Sequence, residues 1–166
     1  MFEGWNDYYL LVASASAALI GLLFVVVTLT PPQDPSQVVR GQQLYMSPIV
    51  YHLAMVLTGG AVAMAPRTPD MLALAIIGLI AAVGLATAAW VTWQIGRSAP
   101  HWTDRWWYGV GPGAAYLGLI VADLLHSAPL IAAGQLALLL ISIRNAWDLV
   151  TWLAPRRKAE APPEGS

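Results

Sequence analysis

The chain has 166 residues, of which 58% are apolar and 10% charged, with a net charge of −1. Soluble domains carry about a quarter charged residues, so this balance excludes an ordinary soluble globule, and a near-neutral total gives no reason to expect a nucleic-acid partner. With no cysteine in the sequence, disulfides, thiolate metal sites, iron–sulfur clusters and cysteine nucleophiles are excluded as well.

In chain order, Met1 to Asp7 carries Glu3 and Asp7 and no basic residue. The positive start of a secretory signal is therefore missing. Residues 8–30 are predicted as a first membrane helix, since ~20 apolar residues cross a ~30 Å hydrocarbon core. Within it Ala13, Ala17 and Gly21 recur at i, i+4, a small-residue stripe along which another helix backbone can approach. Pro31-Pro32 ends this helix, and the polar loop from Gln33 to Tyr45 contains Asp34 and Arg40. A second helix is predicted over 46–65, with Pro48 in its first turn and Gly59-Gly60 mid-run as a close-contact point. His52 falls in its second turn, near an interface, where a lone histidine is expected to hydrogen-bond a neighbour.

Pro66 to Asp70 reads as a tight turn. The third helix, 71–95, is rich in small residues including Gly78 and Gly84, and Trp90, Trp93 and Gln94 mark its far end. Around the following loop stand Arg97, His101, Trp102, Arg105, Trp106, Trp107 and Tyr108, the composition of a belt at headgroup level. The fourth helix, 106–125, opens with Gly109-Val110-Gly111-Pro112-Gly113, for which an irregular or kinked first turn shielded by its neighbours is expected. His126 to Pro129 makes a short turn. The fifth helix, 129–153, has Gln135 and Ser142 as its strongly polar side chains ahead of Arg144. Residues 155–166, with Arg156-Arg157-Lys158 and then Pro, Glu and Gly, are expected to be a disordered tail. No segment alternates as a strand does, which excludes a membrane barrel.

The fold class is therefore an all-α integral membrane bundle of five transmembrane helices, residues 1–154, with short loops and no soluble domain. With five helices Arg40, Arg97, Arg105 and the Arg156-Arg157-Lys158 tail share one side and Arg67 alone lies on the other. Basic loops stay in the cytoplasm, so the N-terminus is placed outside and the C-terminus inside.

Two polar groupings stand out. The first is Arg144, Asn145 and Asp148, with His52 and Gln94 assigned to about the same depth. Arg144 and Asp148 are one helical turn apart and can pair. Arg144 lies about 16 Å short of Pro155 along a helix, within partial reach of the interface by snorkelling. An anchor fixing the depth of the last helix is the plainer reading, and an intramembrane polar gate the sharper one. The second is the external acidic set Glu3, Asp7, Asp70, Asp123 and His126. A single imidazole among carboxylates is a weak signal for a divalent cation, and a solvated surface is the expectation. No metalloprotease, serine-hydrolase or paired-aspartate motif is present. The sequence thus points to no enzyme, cofactor or metal.

The run Ala18 to Phe24 (ALIGLLF), following an aromatic and acidic start, and the Asn-Ala-Trp of the stretch Arg144 to Leu149 resemble the two ends of a group of small, uncharacterised multi-pass bacterial proteins. That resemblance implies a five-helix protein of the bacterial inner membrane and carries no activity or site residue with it. The expected role is a structural or accessory membrane component, a homo-oligomer or a subunit of a larger complex, its partners being the bilayer, itself or other membrane subunits. The alternative is a small ion channel or transporter using the Arg144, Asn145 and Asp148 group as its gate.

Overall fold

A computed structural model describes residues 1–29, 46–97 and 102–159, with side chains placed through Thr151. Asp34, Arg40, His101, the Trp152 side chain and residues 160–166 lie outside the described residues. The described residues form five helices: α1 (Asn6–Leu29), α2 (Ser47–Met64), α3 (Asp70–Arg97), α4 (residues 102–124) and α5 (Ala128–Ala159). No strand occurs among the described residues. α1, α2, α3 and the Ala128–Thr151 part of α5 are long and apolar enough to cross a membrane. α4 is not a clear span, because its unbroken α-helical part, Gly111–Leu124, has only 14 residues.

The burial pattern is the reverse of a water-soluble bundle. Leu11, Phe24, Met71 and Leu124 point outward and are each at least 68% exposed, whereas Ser16, His52, Gln135, Ser142 and Asn145 are buried. Such a surface is costly in water and matched to hydrocarbon. α2 forms the axis, packing on α1, α3 and α5, and α4 fills the gap between α3 and α5.

Close contacts fix the register. At Gly60 a Cβ would lie 3.0 Å from the Ala13 Cβ and 3.2 Å from the Tyr9 carbonyl oxygen, so the α1 and α2 backbones nearly touch. About two turns along α2, Ser16 donates to the Leu53 carbonyl at 2.6 Å. The small-residue stripe predicted on α1 is only partly used for this. Ala13 is buried, but Ala17 and Gly21 are exposed, and nothing lies within 4 Å of a Cβ built at Gly21. The inward face is instead set by Tyr9, Val12, Ala13 and Ser16, and the stripe turns away from the bundle.

At the start of α4 the irregular turn expected of its glycines takes the form of a π turn within an otherwise continuous helix. Trp102–Arg105 is α-helical, Trp106–Val110 forms a π turn and Gly111–Leu124 continues as α-helix. Gly109 packs on Thr92 of α3, where any side chain would collide, so tertiary contact keeps helical a stretch that is a poor helix former alone. At its other end α4 stops because His126 adopts a left-handed φ of 50° and the Ser127 N–H bonds the Ala122 carbonyl at 3.0 Å, a Schellman closure with histidine in the usual glycine place. α5 runs past Pro155 to Ala159, where the sequence suggests a disordered tail.

Candidate functional site

Two polar assemblies lie on the inner faces of α4 and α5. The first joins the π turn to α5. In a π turn each carbonyl looks five residues ahead for its N–H, and the Gly111 N–H duly bonds the Trp106 carbonyl. The Trp107 carbonyl would need the N–H of residue 112, which is a proline and has none. Asn145 supplies the missing donor, its Nδ2 reaching the Trp107 oxygen at 2.8 Å. Tyr108 adds a second tie, donating its hydroxyl to the Asn145 carbonyl at 3.2 Å.

Arg144 extends this clamp toward the outside of the bundle. Its guanidinium sits 4.2 Å from the Trp107 ring centre, donates to Asn145 Oδ1 at 3.4 Å and pairs with Asp148 Oδ2 at 2.7 Å. Arg144 and Asp148 are 37% and 43% exposed, which places the ion pair on the flank of α5 and leaves Asn145 alone to point inward. Gln94 is half-buried on α3, and the α4 segment stands between α3 and α5 at that end. His52 bonds neither Arg144, Asn145 nor Asp148. The grouping suggested by the sequence is thus divided among three places.

The second assembly is centred on His52, which is 1% exposed. Its Nδ1 is 2.8 Å from the Tyr116 hydroxyl, and its ring centre is 5.4 Å from that of Tyr116 and 6.0 Å from that of Tyr51. Tyr116 can lie flat against α3 only because residue 84 is glycine: a Cβ there would come 2.2 Å from the ring. Gly59 plays the same part for Gln135, whose Nε2 would be 2.5 Å from a Cβ at that position. Pairing Gly59 with Gln135 in antiparallel helices sets His52 level with Ser142. Ser16, bonded to the carbonyl next to His52, is near the middle of α1. The histidine therefore lies toward the centre of the bundle rather than near an interface.

Gln135, Ser142 and Asn145 fall at i, i+7 and i+10, so one face of α5 carries all three, and each is no more than 3% exposed. They span about 15 Å of the helix. Four atoms along this seam, Tyr51 Oη, His52 Nε2, Gln135 Oε1 and Ser142 Oγ, are buried with no hydrogen-bond partner among the described residues. The α5 spacing is visible in the sequence and marks the seam. Nothing in the sequence singles out Tyr116 or Tyr51.

The external acidic set is not gathered into one site. Asp70 accepts from the Met1 amine at 2.8 Å and, with Glu3, Asn6 and Arg67, lines a cleft of about 360 Å³. Asp7 is exposed at the start of α1. Asp123 turns toward Gly78 on α3, with its Oδ1 buried and without a hydrogen-bond partner among the described residues, and His126 sits in the turn after α4. Among the described residues no three His, Asp or Glu side chains come close enough to share a metal ion.

No protein-family model matches the chain, and comparison with curated proteins and with solved structures returns no match.

Proposed function

We infer that the protein is a structural or accessory component of a bacterial inner membrane, with its N-terminus outside and its C-terminus in the cytoplasm, that works by assembling with a second copy or with another membrane subunit. The observation that carries this reading is the outward face of α1. Ser14, Ala17, Ala18 and Gly21 are all exposed there, giving two interleaved small-xxx-small pairs with no helix of the described residues opposite them. In lipid, helices associate by close backbone packing and not by a hydrophobic drive, so such a face is suited to receive a helix from outside. α1 is also the least enclosed of the four candidate spans, with 22% of its apolar window buried against 44% for α2. Exposed Trp90, Trp93, Trp102, Trp106, Trp107 and Trp147, with Arg97 stacked 4.6 Å from the Trp93 ring centre, suit a headgroup-level belt on the cytoplasmic side. The orientation rests on the basic residues at that same end.

The test is gentle extraction followed by native mass spectrometry, and single-molecule photobleaching in vesicles. Wild type should appear as a discrete assembly, and the double change Ala17→Ile with Gly21→Ile should release monomers without altering helix content. A wild-type protein that stays monomeric with no bound subunit would end this reading. The alternative of a channel gated by Arg144, Asn145 and Asp148 has less support. The ion pair sits on the bundle's flank, and Asn145 is committed to holding the π turn.

A further inference from the structure

The unpartnered atoms around His52 serve neither the α1 face nor the clamp on α5. Inside a membrane bundle an unpaired polar group costs free energy that hydrocarbon cannot return, so a purely structural network closes on itself. Among the described residues this one does not close, and the helix registers stack the residues that carry its open atoms along the bundle. His52 Nε2 and Ser142 Oγ share a level, with the Tyr51 ring beside the imidazole. Gln135 Oε1 lies two turns toward the outer end, next to Gly59. Beyond it the buried Asp123 Oδ1 follows Tyr116 at i+7 on α4, while Asn145 continues the row toward the opposite end.

We propose that this row is a proton path through the bundle, in which bridging waters join the open oxygens and His52 Nε2 takes up and releases the proton. Buried waters need two to four polar partners each, and an ionisable side chain turned into a bundle interior is how membrane proteins build proton relays. Tyr116 positions the ring. In the tautomer with a proton on Nδ1, that nitrogen donates to the Tyr116 oxygen and Nε2 presents its lone pair to the row. A proton arriving from one side binds Nε2 and gives an imidazolium still held by Tyr116. The same proton leaves Nε2 toward the other side, so one proton is transferred and no other bond changes. The titratable neighbours are Tyr51 on α2 and Tyr116 on α4. At this level α1 contributes Ser16, already bonded to Leu53, α3 contributes Gly84 and α5 contributes Ser142, none of which titrates. The carboxylate on the row is Asp123, two helical turns from Tyr116 along α4. With hydroxyls and amides but no ring of charge, the path suits protons and not alkali cations.

The experiment uses the full chain in liposomes holding a pH-sensitive dye, with a potassium gradient and valinomycin to drive proton entry. Wild type should acidify faster than protein-free vesicles, His52→Gln should lose that excess, and Tyr116→Phe should slow it. Arg144→Gln, which lies off the row, should retain it. Wild-type flux equal to that of protein-free vesicles overturns the proposal, as does undiminished flux in His52→Gln. If His52→Gln does not fold, undiminished flux in Tyr116→Phe overturns it instead. Potassium passing the wild-type protein as readily as protons, without valinomycin, also overturns it. Because none of these readouts depends on the α1 face, failure here and failure of the assembly reading are distinguishable.

Discussion

Asn145→Leu is the substitution whose cost can be worked out most directly. The change removes the side-chain donor to the Trp107 carbonyl, a group that Pro112 has already deprived of its partner five residues ahead. Stranding a buried carbonyl costs about 1–3 kcal/mol in soluble proteins. Interhelical hydrogen bonds in bilayers average about 0.6 and reach about 1.7 kcal/mol, because the freed group usually finds another partner. Here proline removes the nearest alternative, so the expected loss is near the top of the bilayer range, about 1.5 kcal/mol or a little over tenfold in the folding equilibrium. The assay is reversible unfolding in mixed detergent micelles followed by circular dichroism. Pro112→Ala supplies the control. A restored N–H at 112 satisfies the Trp107 carbonyl directly if the π turn persists, or frees the Gly111 N–H to do so if the turn relaxes to α-helix. In that background Asn145→Leu should cost less than half as much. An equal cost in both backgrounds would refute the account of the clamp.

Other outcomes follow from the same contacts. Gly84→Ala should destabilise by about 1–3 kcal/mol through overpacking against the Tyr116 ring, whereas Gly21→Ala, with open space around it, should stay within about 0.5 kcal/mol; micelle unfolding reads both. Asp148→Asn should cost under about 1 kcal/mol, since the pair is part-exposed, and should leave ion flux in liposomes at the wild-type level. Because the chain has no cysteine of its own, single cysteines report orientation: Arg67→Cys should react with an impermeant maleimide on intact cells, and Arg97→Cys only after permeabilisation. The reverse pattern would invert the assigned topology.

Apolar length and proline placement make the helices legible in the sequence, since few other structures satisfy a chain this poor in charge. Which face of each helix turns inward is less legible. In water a polar face marks the outside, but here both faces are apolar and the usual periodicity is nearly silent. Ala13 and Gly21 look alike in sequence, yet one touches α2 and the other faces outward, and the difference depends on where Gly60 sits across the bundle. The few polar residues carry the information that remains. Gln135, Ser142 and Asn145 define the inner face of α5 by spacing alone, and His52 does the same for α2. Tyr116 could not be placed this way, because its seat is a gap opposite Gly84 on another helix. The Arg144–Asp148 pairing follows from i, i+4 spacing, but its position on the flank depends on Trp107, whose backbone oxygen holds Asn145 and whose ring holds Arg144.

The π turn has a consequence for how α4 tolerates changes in length. Five residues there occupy a turn that four would fill in an α-helix, so Tyr108 and Tyr116, both buried, come round to the inner face as if one residue closer together. Deleting a single residue between 106 and 110 would remove that surplus and let the turn close as ordinary α-helix. Trp102 and Arg105 would keep their bearing around the helix, whereas a deletion within Gly111–Leu124 would swing them about 100° relative to the residues beyond it. The rim of the protein and its interior are thereby buffered against a one-residue change at this turn, and the tryptophans can keep their direction while the histidine at the centre keeps its place.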